Sequence, residues 1–183
     1  MKSLVLRDVQ IVVPDKEVGN EQILKIYFRL FNLGHGDCVP PVVVAHKSKI
    51  DPGYMRENFG DRDRVEGQRF YQRLMCYPSD YLLLDGVCRC CAAAFCHQQI
   101  KSLLLENDSD IRNLHSMVDE GELIDFRHCC TSLTKMANKF VDSLYLARTI
   151  INLEEKVEEL AKSSMIPSYM VERFRNEMVN GTE

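Results

Sequence analysis

The stretch Ser79–Asn107, SDYLLLDGVCRCCAAAFCHQQIKSLLLEN, decides how the rest of the chain is read. It holds four of the eight cysteines, a triple alanine and two leucine runs. Pro78 stops any helix arriving from the N-terminal side. Ser79 can accept from the free amides of a first helical turn, and Asp80 sits where a helix N-terminus favours negative charge. These signals predict one long helix ending at Asn107, roughly 42 Å at about 1.5 Å rise per residue. Apolar residues occur nearly all round it, which predicts burial on several sides. Gly86, in its middle, costs up to about 1 kcal/mol relative to alanine and marks either a close approach or a break.

The cysteines of this stretch raise a metal reading. Cys88 and Cys91 could share a zinc ion, with His128, Cys129 or Cys130 completing a tetrahedron. Cys90 and His97 lie two turns apart, too far to join one site on a straight helix. The alternative is that cysteine packs here as a small hydrophobe, its usual role when buried. The spacing matches no loop-borne ligand pattern, and no cofactor is expected.

Outward from this helix the signals stay helical. Val18–Asn32 carries Ile23, Ile26, Tyr27, Leu30 and Phe31 on one stripe, with Gly34 as a C-terminal stop. Gly67–Met75 reads as a short helix with Phe70, Leu74 and Met75 inward. Ser109 caps another, with Ile111, Leu114, Met117 and Val118 as its stripe. Glu122–Ser163 reads as the longest helix, with a seam through Phe126, Cys130, Leu133, Ala137, Phe140, Leu144, Ala147 and Ile151. Ser168–Val179 forms a last amphipathic helix after Pro167. Residues 1–13 fit a strand or a helix equally well, and Val42–Val44 is a strand or a buried turn. The expectation is an all-α, multi-helix bundle in two helical halves. The first, 1–78, carries a basic connector, and the second, 79–183, is built on the two long helices.

At 183 residues and 45% hydrophobic content the chain is long enough for a real core. No leader is expected, because Arg7 and Asp8 follow only a few apolar residues. No stretch is long and apolar enough to span a membrane. The adjacent pairs Cys90-Cys91 and Cys129-Cys130 suit reduced thiols and a cytoplasmic location better than a secreted disulfide framework.

Catalytic signatures are lacking. Gly34-His35-Gly36 lacks the third glycine and the strand–helix context of a phosphate loop, and neither GxSxG nor HExxH occurs. His35, Asp37 and Cys38 share one loop, but no nucleophile–base–orienter set can be assembled, so an enzyme is not expected.

The most basic segment runs from His46 to Arg73. It offers Lys47, Lys49, Arg56, Arg62, Arg64, Arg69 and Arg73, interleaved with Tyr54, Phe59, Phe70 and Tyr71. Arginine forks beside aromatics suit phosphate contact and base stacking. Lys135, Lys139 and Arg148 form a second row. These ten residues are the candidate RNA contacts. The net charge of −4 requires such groups to be segregated on one surface. The acidic run Glu154–Glu159 and the helix at 168–179 are instead candidate protein contacts, the basis of an alternative reading as a helical interaction adaptor.

Taken whole, the chain resembles the roughly 21-kilodalton silencing-suppressor proteins of closteroviruses, of the beet yellows virus type. The resemblance rests on mass, on the helical pattern over residues 17–180 and on cysteine-rich helices without a zinc signature. It implies an all-α fold in two halves and assembly into a homo-oligomeric ring. It further implies a non-enzymatic suppressor of silencing that sequesters double-stranded small RNA in the host cytoplasm.

Overall fold

The computed structural model describes residues 1–14, 20–54, 64–121, 130–163 and 165–180, with backbone alone for Arg64 and for 177–180. It corrects the all-α expectation. The protein is mixed α/β, with a six-stranded sheet in the order β1-β5-β3-β4-β2-β6. The strands are β1 (Lys2–Leu6), β2 (Ile11–Val13), β3 (Val42–His46), β4 (Tyr81–Asp85), β5 (Ile100–Leu105) and β6 (Ile151–Asn152). Seven α-helices lie among the described residues: α1 (Glu21–Asn32), α2 (Arg64–Cys76), α3 (Val87–Phe95), α4 (Asp108–Asp119), α5 (Leu133–Ala147), α6 (Leu153–Lys162) and α7 (Ser168–Asn180). The all-helical architecture implied by the resemblance therefore does not hold for this chain.

The supposed long helix is three elements. Tyr81–Asp85 is a strand, Val87–Phe95 a short helix and Ile100–Leu105 a strand. The reason lies in the layering. Helices cover both faces of the sheet, so its inner strands β3 and β4 are buried on both sides and carry unbroken apolar runs instead of alternation. Leu83 faces one core while Leu82 and Leu84 face the other. Val42 and Val44 likewise oppose Val43 and Ala45. One core is closed by α1, α3, α6 and α7, the other by α2, α4 and α5.

Strands β3 and β5 run parallel, with Val42 opposite Ser102, and β2 and β4 run parallel, with Ile11 opposite Tyr81. The β1–β5, β3–β4 and β2–β6 pairs are antiparallel. Strands from before and after Pro78 thus interleave in a single sheet.

Gly86 makes the turn from β4 into α3. Its φ of +103° lies in the left-handed region, and a Cβ there would stand 2.7 Å from Val42 Cγ1. The alanine run that follows keeps α3 slim, so that it lies flat on the sheet with Ala92, Ala93 and Ala94 all buried. The predicted helix over 122–163 is also divided. Residues 122–129 lie outside the described region, and α5 ends where Arg148 adopts φ +56°. The chain then pairs as β6 before α6 begins, capped by the Asn152 side chain accepting from the Glu155 amide.

At the other end, Asp110 in the first turn of α4 is 2% exposed. It holds the N-terminal ammonium at 2.5 Å and accepts from the Glu106 amide at 2.7 Å and the Asn107 amide at 3.2 Å. Burial opposes ionisation of this carboxyl, but these donors outweigh it and hold its pKa below the usual value. The native state therefore binds this proton less readily than the unfolded chain. The stability it contributes is present above the ordinary carboxylate pKa and is lost as pH falls towards the lower folded value. Between pH 6 and pH 3 the urea midpoint of the wild type should fall further than that of Asp110→Asn, and equal falls would refute this assignment.

Candidate nucleic-acid interface

Two helices of the same layer build the site. Phe70 and Leu74 turn the inner face of α2 into the core, at 6% and 0% exposure. Arg69 and Arg73, one turn apart on the outer face, are about 6 Å apart along the axis. α5 packs beside it, and Phe70 meets Tyr145 edge-on, with ring centroids 5.5 Å apart. The third arginine comes from the end of α5. There the Arg148 amide donates to Tyr145 O at 3.0 Å and the Thr149 amide to Leu144 O at 3.2 Å. This left-handed close brings Arg148 to the lip of the space between the helices.

The result is a groove of about 490 Å³. Among the described residues, Arg69, Arg73 and Arg148 line it against a single anion, Glu66. Phe70 and Tyr145 form its floor, and Leu146, 81% exposed, stands at its edge. All three arginines are exposed, and among the described residues none of their side chains has a hydrogen bond or an ion pair. At 100° per residue, Lys135, Lys139 and Leu146 fall on one outward stripe of α5, so two more exposed cations run along the helix from the groove.

The ten sequence candidates separate on this geometry. Arg69, Arg73 and Arg148 converge, and Lys135 and Lys139 extend the same surface. Lys47 does not belong with them. Its side chain is 11% exposed, and its Nζ donates to Tyr77 O at 2.8 Å with Asp80 at 3.5 Å. It pins the end of β3 to the segment before β4. Lys49 is half-buried in a 3-10 turn and does not line the groove. Arg56 and Arg62 lie outside the described residues, and Arg64 opens α2.

Of the aromatics of the basic segment, Phe59 lies outside the described residues and Tyr71 is half-buried. Phe70 is buried, and the Tyr54 hydroxyl donates to Asp142 at 2.6 Å, a hydrogen bond that, with burial, pushes its phenol up to about 12. Phe70 therefore offers no open ring face for stacking.

The other candidate surfaces are engaged within the chain only in part, for Glu159 of the acidic run is exposed and Tyr169 of the last helix is 42% exposed. Glu155 accepts from the Tyr77 hydroxyl and from the Asn152 amide. The last helix packs on its own core through Met170 and Phe174, with Phe174 edge-on to Phe95 and stacked on His97 at 5.1 Å.

Among the described residues, no group of three His, Cys, Asp or Glu side chains could hold a metal ion. His128 and Cys129 lie outside them. Cys90 and Cys91 are fully buried, which raises both thiols, Cys91 to about 12. A maleimide should therefore label Cys38 and Cys76, both exposed, in the native protein, and reach Cys90, Cys91 and Cys96 only on unfolding. Rapid native labelling of Cys90, Cys91 or Cys96, read by peptide mass, would contradict their placement.

No helix among the described residues is long and apolar enough to cross a membrane. Comparison of the chain with protein families, with curated proteins and with solved structures gives no match.

Proposed function

We propose that this protein is a non-enzymatic binder of double-stranded small RNA, holding the phosphate backbone in the groove between α2 and α5. The observation that carries the reading is the convergence of Arg69, Arg73 and Arg148, none with a protein partner among the described residues, on one groove. Guanidinium forks suit phosphate oxygens, and such contacts carry no sequence information. The floor aromatics, Phe70 buried and Tyr145 half-buried, favour a duplex, which is held by backbone and shape, over a single strand stacked on open rings. Clustering three cations against one anion among the described residues also answers the net charge of −4, because the positive groups are segregated locally.

Sequestration follows from repetition. One groove makes few contacts, and a homo-oligomer presenting several to one duplex multiplies their effect. Capture of small RNA in this way in the host cytoplasm would suppress silencing on behalf of a virus. The test is a gel-shift titration of a short duplex RNA with wild type and with the charge-reversed groove, R69E/R73E/R148E, alongside the oligomer mass. Duplex binding that is lost in the variant supports the reading, and equal binding by both overturns it.

A further inference from the structure

A second concave site lies in the other helical layer, at the end of the sheet where β3 and β5 begin. It is a cleft of about 340 Å³, within the range of small-molecule pockets. Its floor is apolar, made by Phe31 of α1, Val39 and Val42 at the entry to β3, Ala93 of α3 and Ile100 of β5. Its walls are fixed by internal bonds. Arg89, 8% exposed, donates from Nη1 to Pro41 O at 2.5 Å and Pro40 O at 3.2 Å, and from Nη2 to Asp85 at 2.5 Å. It rivets the 40–41 segment to α3 and has its charge matched by Asp85.

The mouth differs. There Lys101 Nζ meets Asp37 Oδ1 at 2.5 Å, with the lysine side chain 47% exposed and the aspartate 91% exposed. Asp37 stands on a three-residue 3-10 turn, Gly36–Cys38, and lends its carboxylate to a lysine at the edge of an apolar floor. A pair this open is worth little, so exchanging one carboxylate for another costs little.

We infer that this cleft binds a small organic carboxylate with an apolar body, its carboxylate held by Lys101 and its body on the Phe31–Val42–Ile100 floor, and that Asp37 occupies the lysine when no ligand is present. Asp37 is thus a built-in competitor. The inference is independent of the RNA reading, since the arginine groove lies in the opposite helical layer.

The test is ligand-observed NMR with hexanoate and benzoate as probes, and with hexanol and benzyl alcohol as their uncharged counterparts, on the full chain. Wild type should transfer saturation to the acids and much less to the alcohols. Asp37→Asn, a change at an exposed turn, should bind the acids up to about fivefold more tightly, the equivalent of freeing one surface ion pair. Lys101→Gln should lose the preference for acid over alcohol. Absence of acid binding by both wild type and Asp37→Asn overturns the inference. So does equal binding of acid and alcohol, or Asp37→Asn binding no tighter than wild type. The Asp37 arm decides the matter even if the Lys101 variant fails to fold.

Discussion

Gly86→Val should destabilise the protein by about 2–5 kcal/mol. A side chain held at positive φ costs about 1–2 kcal/mol, and forcing atoms into a filled core costs about 1–3 kcal/mol more. Both terms apply at this one residue. Its φ is +103°, and its Cβ would stand 2.7 Å from Val42 Cγ1, in a core where Val42 is 1% exposed. Val42 cannot easily yield, because it lies in β3, which is paired on both sides by β4 and β5. Gly34→Ala serves as the control. Gly34 has φ +79° with nothing within 4 Å of a Cβ, so that substitution carries the backbone term alone, about 1–2 kcal/mol. Urea unfolding followed by circular dichroism would read both variants. A Gly86→Val midpoint no lower than that of Gly34→Ala would contradict the β4–Gly86–α3 turn.

The second large effect is on RNA. Hydrogen bonds to charged groups contribute about 1.5–3 kcal/mol each, so removing three phosphate contacts should weaken duplex binding by about a thousandfold or more. R69E/R73E/R148E goes further than removal, because it replaces attraction by repulsion at the same positions. The fold should survive, since all three side chains are exposed and without hydrogen bonds or ion pairs among the described residues. An unchanged circular dichroism spectrum and urea midpoint would show that the loss lies in binding. Lys47→Glu should behave differently. That lysine is bonded to Tyr77 O and paired with Asp80, so reversing it should cost stability before it affects RNA.

The elements that the sequence made legible are those with one wet face. α2 and α7 show stripes of period 3.6, and their boundaries, like those of α1, fall within a few residues of expectation. In α1 the stripe itself is corrected: Leu24 and Phe28 are buried, while Ile23 and Ile26 are 41% and 57% exposed. Residues 1–13 fit a strand or a helix equally well in the sequence, and they form β1 and β2. Elements buried on both faces were not legible in this way. YLLLD and IKSLLL have continuous apolar runs, which fit a buried helix as well as a buried strand. The deciding residue in that stretch was Gly86, which a continuous helix has no use for and a strand-to-helix turn requires. The break at Arg148 left no trace, because a non-glycine residue closes α5 in the left-handed region.

The site divides along the same line. The arginines stood out as a basic run, but the meeting of Arg69 and Arg73 with Arg148 depends on α2 packing beside α5. No local pattern encodes that contact between residues more than seventy positions apart. Lys47 shows the converse, for its bond to the Tyr77 carbonyl cannot be read from its neighbours in the chain.

The most direct test of the central claim is the affinity of the wild-type protein for a short duplex RNA, measured across a salt series. Three phosphate contacts in one groove give a slope of log affinity against log salt of about −2 to −3, steeper if several protomers share a duplex. A slope in that range, flattened in R69E/R73E/R148E, is the expected result. A flat dependence, or no binding by the folded protein at low salt, would contradict the assignment of the α2–α5 groove to RNA.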